Sequence, residues 1–410
     1  MKNHKLHIKI LIVSLLFTLV VAACAPKVAP TVEPPAAEPP AAEQEQVPEE
    51  PPAVEEEPAT APVTEEAFDL DALIAAAQAE GELVAYWHSS RIEKAGAAFE
   101  EKYGITVIGT KMNDSEQTER VIREVQSGNV QVDLIAYDDG GTLITQMIPQ
   151  EIVSVWVPPD LADIIPAEDK DPLIYLWQPR FFGYNTEVYG DTCPIDNIWQ
   201  LTEEEWQSRV IIRDPQVTTA QLAWFASIVE QPELMAEAYK AYYGEELVTE
   251  EENAGWEFLK RLFMNDLQVM GSDDDVSQAV GGAGQTNPPI GLYTYAKHRN
   301  MEELNLKLGI CLTMKPYMGY AMPTYIAQIT GSQHPNAAML FTHYVLTEEG
   351  VAPWALADLG GYSPNPEVSA NPDDEIGVWA DWKPYLFSFD PAKAITIRQD
   401  LLDYWLTMSQ

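Results

Sequence analysis

The sequence predicts an α/β protein whose strands form parallel, doubly wound sheets, and three observations carry that prediction. From about residue 68 onward, short apolar runs alternate with amphipathic segments of helical length. Strand–helix–strand repeats of this kind bury a parallel sheet beneath helices on both faces. Glycines such as Gly81 and Gly104 stand where helical segments stop, and residues 68 to 410 are long for one core and suit two lobes.

Asp69 to Ala79 is an Ala/Leu-rich helix, and Leu83 to Trp87 a short buried strand. Ser90 and Glu93 have capping-box spacing for the next helix, whose Ala95, Ala98 and Phe99 share a face. Ile105 to Ile108 is a strand, Glu116 to Ser127 an amphipathic helix, and Val132 to Ala136 an apolar strand running into Tyr137, Asp138 and Asp139. The middle of the chain repeats the theme: strand at Val210 to Ile212, helices at Thr219 to Val229 and Glu251 to Met264, strand at Pro289 to Leu292. The last stretch gives a strand at Thr324 to Ile329 and helices at Pro335 to Glu348 and Ile395 to Leu406.

The N-terminus has a different character. Lys2, Lys5 and Lys9 precede an apolar run, Ile10 to Ala23, of signal-peptide length and too short to span a bilayer. It ends in Val21-Ala22-Ala23-Cys24, which resembles a bacterial lipobox. The resemblance implies cleavage before Cys24 and lipidation of it; an ordinary secretory cleavage near Ala23 is the alternative. Residues 25–67 are rich in Pro, Ala and Glu, and bury too little apolar surface to fold. They should form a semi-stiff extended spacer.

The chain carries a net charge of −40. That excludes nucleic acid as a partner, whose phosphates would be repelled, and excludes docking on anionic lipid through the protein surface. Besides Cys24, the cysteines are Cys193 and Cys311; one disulfide and two separate buried thiols both remain open.

Several segments together resemble the type 2 periplasmic solute-binding proteins of ABC importers, in the branch that binds ferric iron, phosphonates and sugar phosphates. They are Glu80 to Tyr86, Ala98 to Ile105, Val132 to Ile135, Phe182 to Glu187, Arg213-Asp214-Pro215 and His334 to Gly350. The resemblance implies two doubly wound lobes joined by a two-crossing hinge, with crossings near Gln178 to Phe182 and Thr313 to Met322. Lobe one would be residues 68–178 and 320–410, and lobe two residues 179–319. It further implies a monomer that closes on one solute, carries no cofactor, and hands the solute to permease subunits at the membrane.

Ligands of open α/β sheets lie at the C-terminal ends of strands. The candidates there are Trp87, His88, Ser89, Ser90, Asp138, Arg213, Thr218, Tyr293 and Tyr295. Two readings stay open. The first is ferric ion, a hard cation suited to imidazole, carboxylate and phenolate donors, held by His88, Asp138, Tyr293 and Tyr295. Ferric-binding relatives use a His, a Glu and two adjacent tyrosines; here an Asp replaces the Glu and Thr294 separates the tyrosines. The second is an organic or phosphorylated anion at the helix N-terminus beside Ser89 and Ser90, with Arg213 reaching from the other lobe and Arg91, Lys111 and Arg120 in reserve.

Each candidate also has a structural role open to it: a helix cap for Ser90, a turn for Asp138, packing for Trp87 and both tyrosines. An enzyme is not expected, since the sequence has no Walker loop, nucleophile elbow or zinc-protease motif. A carboxylate-based hydrolase and a surface sensor retaining the binding fold are the alternatives.

Overall fold

The computed structural model describes residues 68–355, 360–369, 371–372, 374 and 376–409. The signal-peptide, Cys24 and linker expectations fall outside these residues. Asp69 accepts hydrogen bonds from the Asp71 and Ala72 amides at the start of α1 (Leu70–Glu80), and Gly81 ends it in the left-handed conformation, which suits a residue without a Cβ. β1 (Glu82–Trp87), α2 (Ile92–Tyr103), β2 (Thr106–Lys111), α3 (Asp114–Ser127) and β3 (Leu134–Tyr137) follow. β2 and β3 flank β1, both parallel to it. The order matches the sequence reading. The Ser90–Glu93 capping box does not form: α2 starts at Ile92, with Arg91 at its N-cap and no side-chain capping bond.

Next come β4 (Val153–Ser154) and the long β5 (Ile174–Asn185), then a second set of alternating elements. These are β6 (Val210–Arg213), α4 (Thr219–Val229), α5 (Pro232–Tyr243), α6 (Ala254–Met264), β7 (Gln268–Met270), α7 (Asp273–Gly281), β8 (Ile290–Thr294) and β9 (Leu308–Ile310). β7 and β8 are parallel to β6. The chain returns through β10 (Gly319–Ile329) to α8 (Pro335–Val345), α9 (Glu348–Ala355) and α10 (Pro391–Met408).

The sheet order is β2-β1-β3-β10-β5-β8-β6-β7. Two parallel halves are therefore joined by one antiparallel pair, β5 and β10, which contain or begin within the two expected crossings. Their register runs from Gly319 opposite Phe181 to Tyr325 opposite Ile174, with an irregularity between Thr324 and Tyr325. At Gly319 an added Cβ would stand 1.9 Å from the Arg180 carbonyl oxygen, so only glycine fits there.

The side-chain cores follow this division. One face of the β1–β3 half buries Trp87, Phe99, Tyr175, Phe341 and Trp354; the other buries Tyr86, Tyr137, Met147 and Tyr325. The β6–β8 half is built on Trp199, Trp224, Phe225 and Phe258. α10 corrects the sequence reading, which gave it wholly to the first lobe. Its Leu401 and Trp405 belong to the core of the β6–β8 half, where Trp405 meets Phe263 edge-on with ring centroids 5.1 Å apart. Its N-terminal end grips the other half. Arg398 donates Nη1 to Asp139 Oδ2 at 2.8 Å and Nη2 to Oδ1 at 2.5 Å, and Ile395 leaves no room for a Cβ on Gly141.

Cys193 and Cys311 form a disulfide, one of the two alternatives the sequence left open. It closes a loop with a sequence separation of 118 residues and so removes many unfolded conformations. Replacing both cysteines with Ser should lower stability by about 2–5 kcal/mol, read from urea unfolding against the oxidised parent. The Arg398 clasp should show in acid. Burial pushes the Asp139 carboxyl up, but its bonds from Arg398 and Thr142 outweigh that and hold it below the usual value. The stability from this shift is present above the unfolded pKa of about 3.9 and is lost as pH falls through the lower folded value. Arg398→Met with Asp139→Asn should therefore reduce the slope of stability against pH below about pH 4, measured by chemical denaturation.

Candidate functional site

A cavity of about 600 Å³ lies where the C-terminal ends of β1, β3 and β6 face the middle of β5. It is lined by Arg91, Lys94 and Lys111 from the β1–β3 half, and by Arg180, Arg213, Lys297 and Arg299 from β5 and the β6–β8 half. The acidic lining residues are Glu93, Asp138, Asp273 and Asp274. Thus seven of the chain's 24 Lys and Arg residues meet four of its 64 acidic ones here. This inverts the charge balance of the chain as a whole. A local field of this kind, and not net charge, decides what a cleft attracts.

Arg180 anchors the cationic side. It occupies β5 directly opposite Thr294 of β8, so both side chains project from the same face. Arg180 donates Nη1 to Asp273 Oδ1 at 2.6 Å, and Arg213 Nη1 lies 3.9 Å from Asp273 Oδ2. One carboxylate at the first turn of α7 therefore holds two guanidinium groups. Burial opposes the charge on Arg180, but Asp273 outweighs it and raises the pKa further. Three polar atoms here are left without hydrogen-bond partners among the described residues: Arg180 Nε, Arg213 Nε and Thr294 Oγ1. Arg180 and Thr294 are only 9% and 8% exposed. Unpaired buried donors are costly, and these three cluster beneath the surface of the cationic wall.

The opposite wall is a chain of hydrogen bonds. Trp87 Nε1 donates to Tyr175 Oη at 2.8 Å, and Tyr175 Oη lies 2.7 Å from His88 Nε2. The Tyr175 hydroxyl thus links the indole of Trp87 to the His88 ring. Nδ1 faces Asp138 Oδ2 at 3.9 Å. Asp138 Oδ1 accepts from Thr324 Oγ1 at 2.6 Å, and that hydroxyl accepts from Gln178 Nε2 at 2.7 Å. Residues of both connecting strands thus orient the carboxylate. Burial pushes the His88 pKa down, Asp138 pulls it up, and Arg91 and Lys111 add to the depression; the net lowering keeps the imidazole neutral near pH 7.

Of the sequence candidates, His88, Ser89, Ser90, Asp138 and Arg213 line the cavity. Trp87, Thr218, Tyr293 and Tyr295 do not. Trp87 is fully buried in the core and serves the site through Tyr175. Thr218 caps α4 by accepting from the Ala220 amide. Tyr293 and Tyr295 are each 1% exposed. The Tyr293 ring packs onto Gly183, its hydroxyl is 3.3 Å from His298, and burial pushes its pKa far above the usual phenol value. Tyr295 packs edge-on against Phe181. The ferric set of His88, Asp138 and two phenolates is therefore not assembled, because Tyr293 on β8 and Tyr295 in the turn after it are both packing residues.

At the helix N-terminus several backbone amides already have partners. The Arg91 amide donates to Ser89 Oγ, and the Ile92 and Glu93 amides donate to the Ser89 and Ser90 carbonyls. Arg120 lies over Tyr86 and pairs with Glu124. Sequence reasoning missed Arg180, Asp273 and Thr294. A lone Arg inside the apolar run from Leu173 to Tyr184 was the available signal.

The family model for bacterial extracellular solute-binding proteins matches residues 94–384, more than half of the chain, and the chain belongs to that family. It is a binding protein and not an enzyme. Solved structures with the same fold include iron-bound HitA from Pseudomonas aeruginosa, at 17% identity, TM-score 0.62, covering 80% of this chain and 99% of that one. The ferric binding protein from Campylobacter jejuni is similar at 18% identity and TM-score 0.60, with the same coverage. An ABC-transporter substrate binding protein from Agrobacterium tumefaciens matches at 14% identity and TM-score 0.61, covering 80% and 94%. No curated protein sequence matches the chain.

His88 supplies a pH test. Its folded pKa lies below the unfolded value of about 6.5, so its contribution to stability is intact above that pH and is lost as pH falls below it. Proton resonances of the His88 ring should titrate below pH 6.5, and Asp138→Asn, which removes the opposing charge, should shift that titration lower still.

Proposed function

We propose that this chain is an extracytoplasmic lipoprotein, anchored through lipidated Cys24, that captures a small organic or phosphorylated anion and delivers it to the permease of an ABC importer. Residues 68–178 and those from 320 onward would form one lobe and residues 179–319 the other, with α10 straddling them. A ligand touching both walls favours the closed form over the open one, and the closed face docks on the permease. The observation that carries the anion reading is a cavity richer in Lys and Arg than in acids, with three unpaired polar atoms, Arg180 Nε, Arg213 Nε and Thr294 Oγ1, buried beneath its wall. Ferric ion is the second reading. It is supported by the iron-bound neighbour and by the approach of His88 to Asp138 at 3.9 Å, and opposed by the packing of both tyrosines.

Thermal unfolding of the Cys24→Ser chain against phosphate esters, phosphonates, dicarboxylates and ferric salts separates the readings. A bound anion at a hundredfold excess over Kd should stabilise by about 2.7 kcal/mol, and Arg213→Met should weaken it at least tenfold. Stabilisation by ferric salts alone, with a visible charge-transfer colour lost in Tyr295→Phe, would sink the anion reading.

A further inference from the structure

We infer that the site selects a bifunctional ligand: an anion that also carries a hydrogen-bond donor, hydroxyl or ammonium, which Asp138 reads. This rests on the anion reading above. Two features of the cavity conflict. A wall built to accept negative charge at Arg180, Arg213 and Thr294 faces a carboxylate in the same cavity, and a plain anion would be repelled by it. The conflict is not relieved by His88. Its Nε2 is engaged by Tyr175 and its pKa is lowered, so the imidazole brings no positive charge to Asp138. Nor does the carboxylate swing away. Oδ1 is fixed by Thr324, which is itself fixed by Gln178, and both of those residues stand on the connecting strands. Oδ2 stands 3.9 Å from His88 Nδ1, longer than a hydrogen bond. An acceptor held this firmly in the cavity lining, with no hydrogen bond to Oδ2 among the described residues, fits a donor on the ligand. The anionic group then lies on the Arg180–Thr294 wall and the donor on the Asp138 wall, so one molecule bridges both halves of the sheet. A ligand lacking the donor leaves Asp138 Oδ2 desolvated without a hydrogen bond, which is how polar sites reject analogues strongly.

The test is calorimetric titration of the Cys24→Ser chain with matched pairs. Ethyl phosphate is compared with 2-hydroxyethyl and 2-aminoethyl phosphate, and succinate with malate and aspartate. At least one donor-bearing member should bind tenfold or more tightly than its plain partner. An ammonium preference should collapse in Asp138→Asn, whose oxygen still accepts from Thr324 and whose NH2 replaces Oδ2; a hydroxyl can accept from that NH2, so its preference should survive Asn and collapse in Asp138→Val. Plain and donor-bearing partners binding within threefold of each other, or a preference that survives Asp138→Val, overturns the inference while leaving the anion reading intact. Binding by no anion in either series overturns the anion reading and this inference with it.

Discussion

The antiparallel ladder between β5 and β10 is the constraint from which the remaining architecture follows. Each parallel half could form a sheet by itself, with β1 between β2 and β3 or β6 between β7 and β8. What makes one molecule of them is a pair of strands long enough to serve both. β10 pairs along β3 and β5 pairs along β8, while their shared stretch joins the halves. The pairing is tight: at Gly319 the two backbones come so close that no side chain fits. Because the same strands carry Gln178 and Arg180 into the cavity and Thr324 behind Asp138, the joint between the halves is also part of the binding wall.

Electrostatics explains how a strongly acidic chain presents a basic cleft. A net charge of −40 keeps the exterior soluble and repels polyanions. Within the cavity, Asp273 accepts from Arg180 Nη1 and pairs with Arg213 Nη1, while both Nε atoms remain unpaired. The shared carboxylate acts as a scaffold that holds both cations in the cavity lining. The arrangement is stable because the charges are paired at one end and open at the other.

Much of this was legible in the sequence, and the losses have physical causes. Alternating apolar and amphipathic segments are local signals, and β1, α3, β3, α4 and β8 appear within a few residues of where the pattern put them. Capping-box spacing at Ser90 was a local signal overridden by the turn at Ser89, which starts α2 later. β5 was less visible as a strand because Pro179 and Arg180 interrupt its apolar pattern. That interruption is the site. His88, Asp138 and Arg213 could be found because strand ends are where cleft residues collect. Tyr293 and Tyr295 satisfied the same rule and failed, because burial at a strand end depends on what packs against it: Gly183 admits the Tyr293 ring. Asp273 and Thr294 reach the site only through pairing between distant elements, which no single-chain periodicity encodes. The partition of α10 has the same origin, since its partners in α4 and α6 are remote in sequence.

That helix has a mechanical consequence. A two-stranded ribbon alone can flex and also wring about its long axis. α10 adds a third tether beside the ribbon, with Trp405 rooted in one half and Arg398 locked to Asp139 in the other. Three non-collinear attachments resist wringing far better than two adjacent ones, so the halves are left mainly with a single bending freedom. The tether ends one residue from Asp138, which places the mechanical stop and the ligand's acceptor on the same short loop.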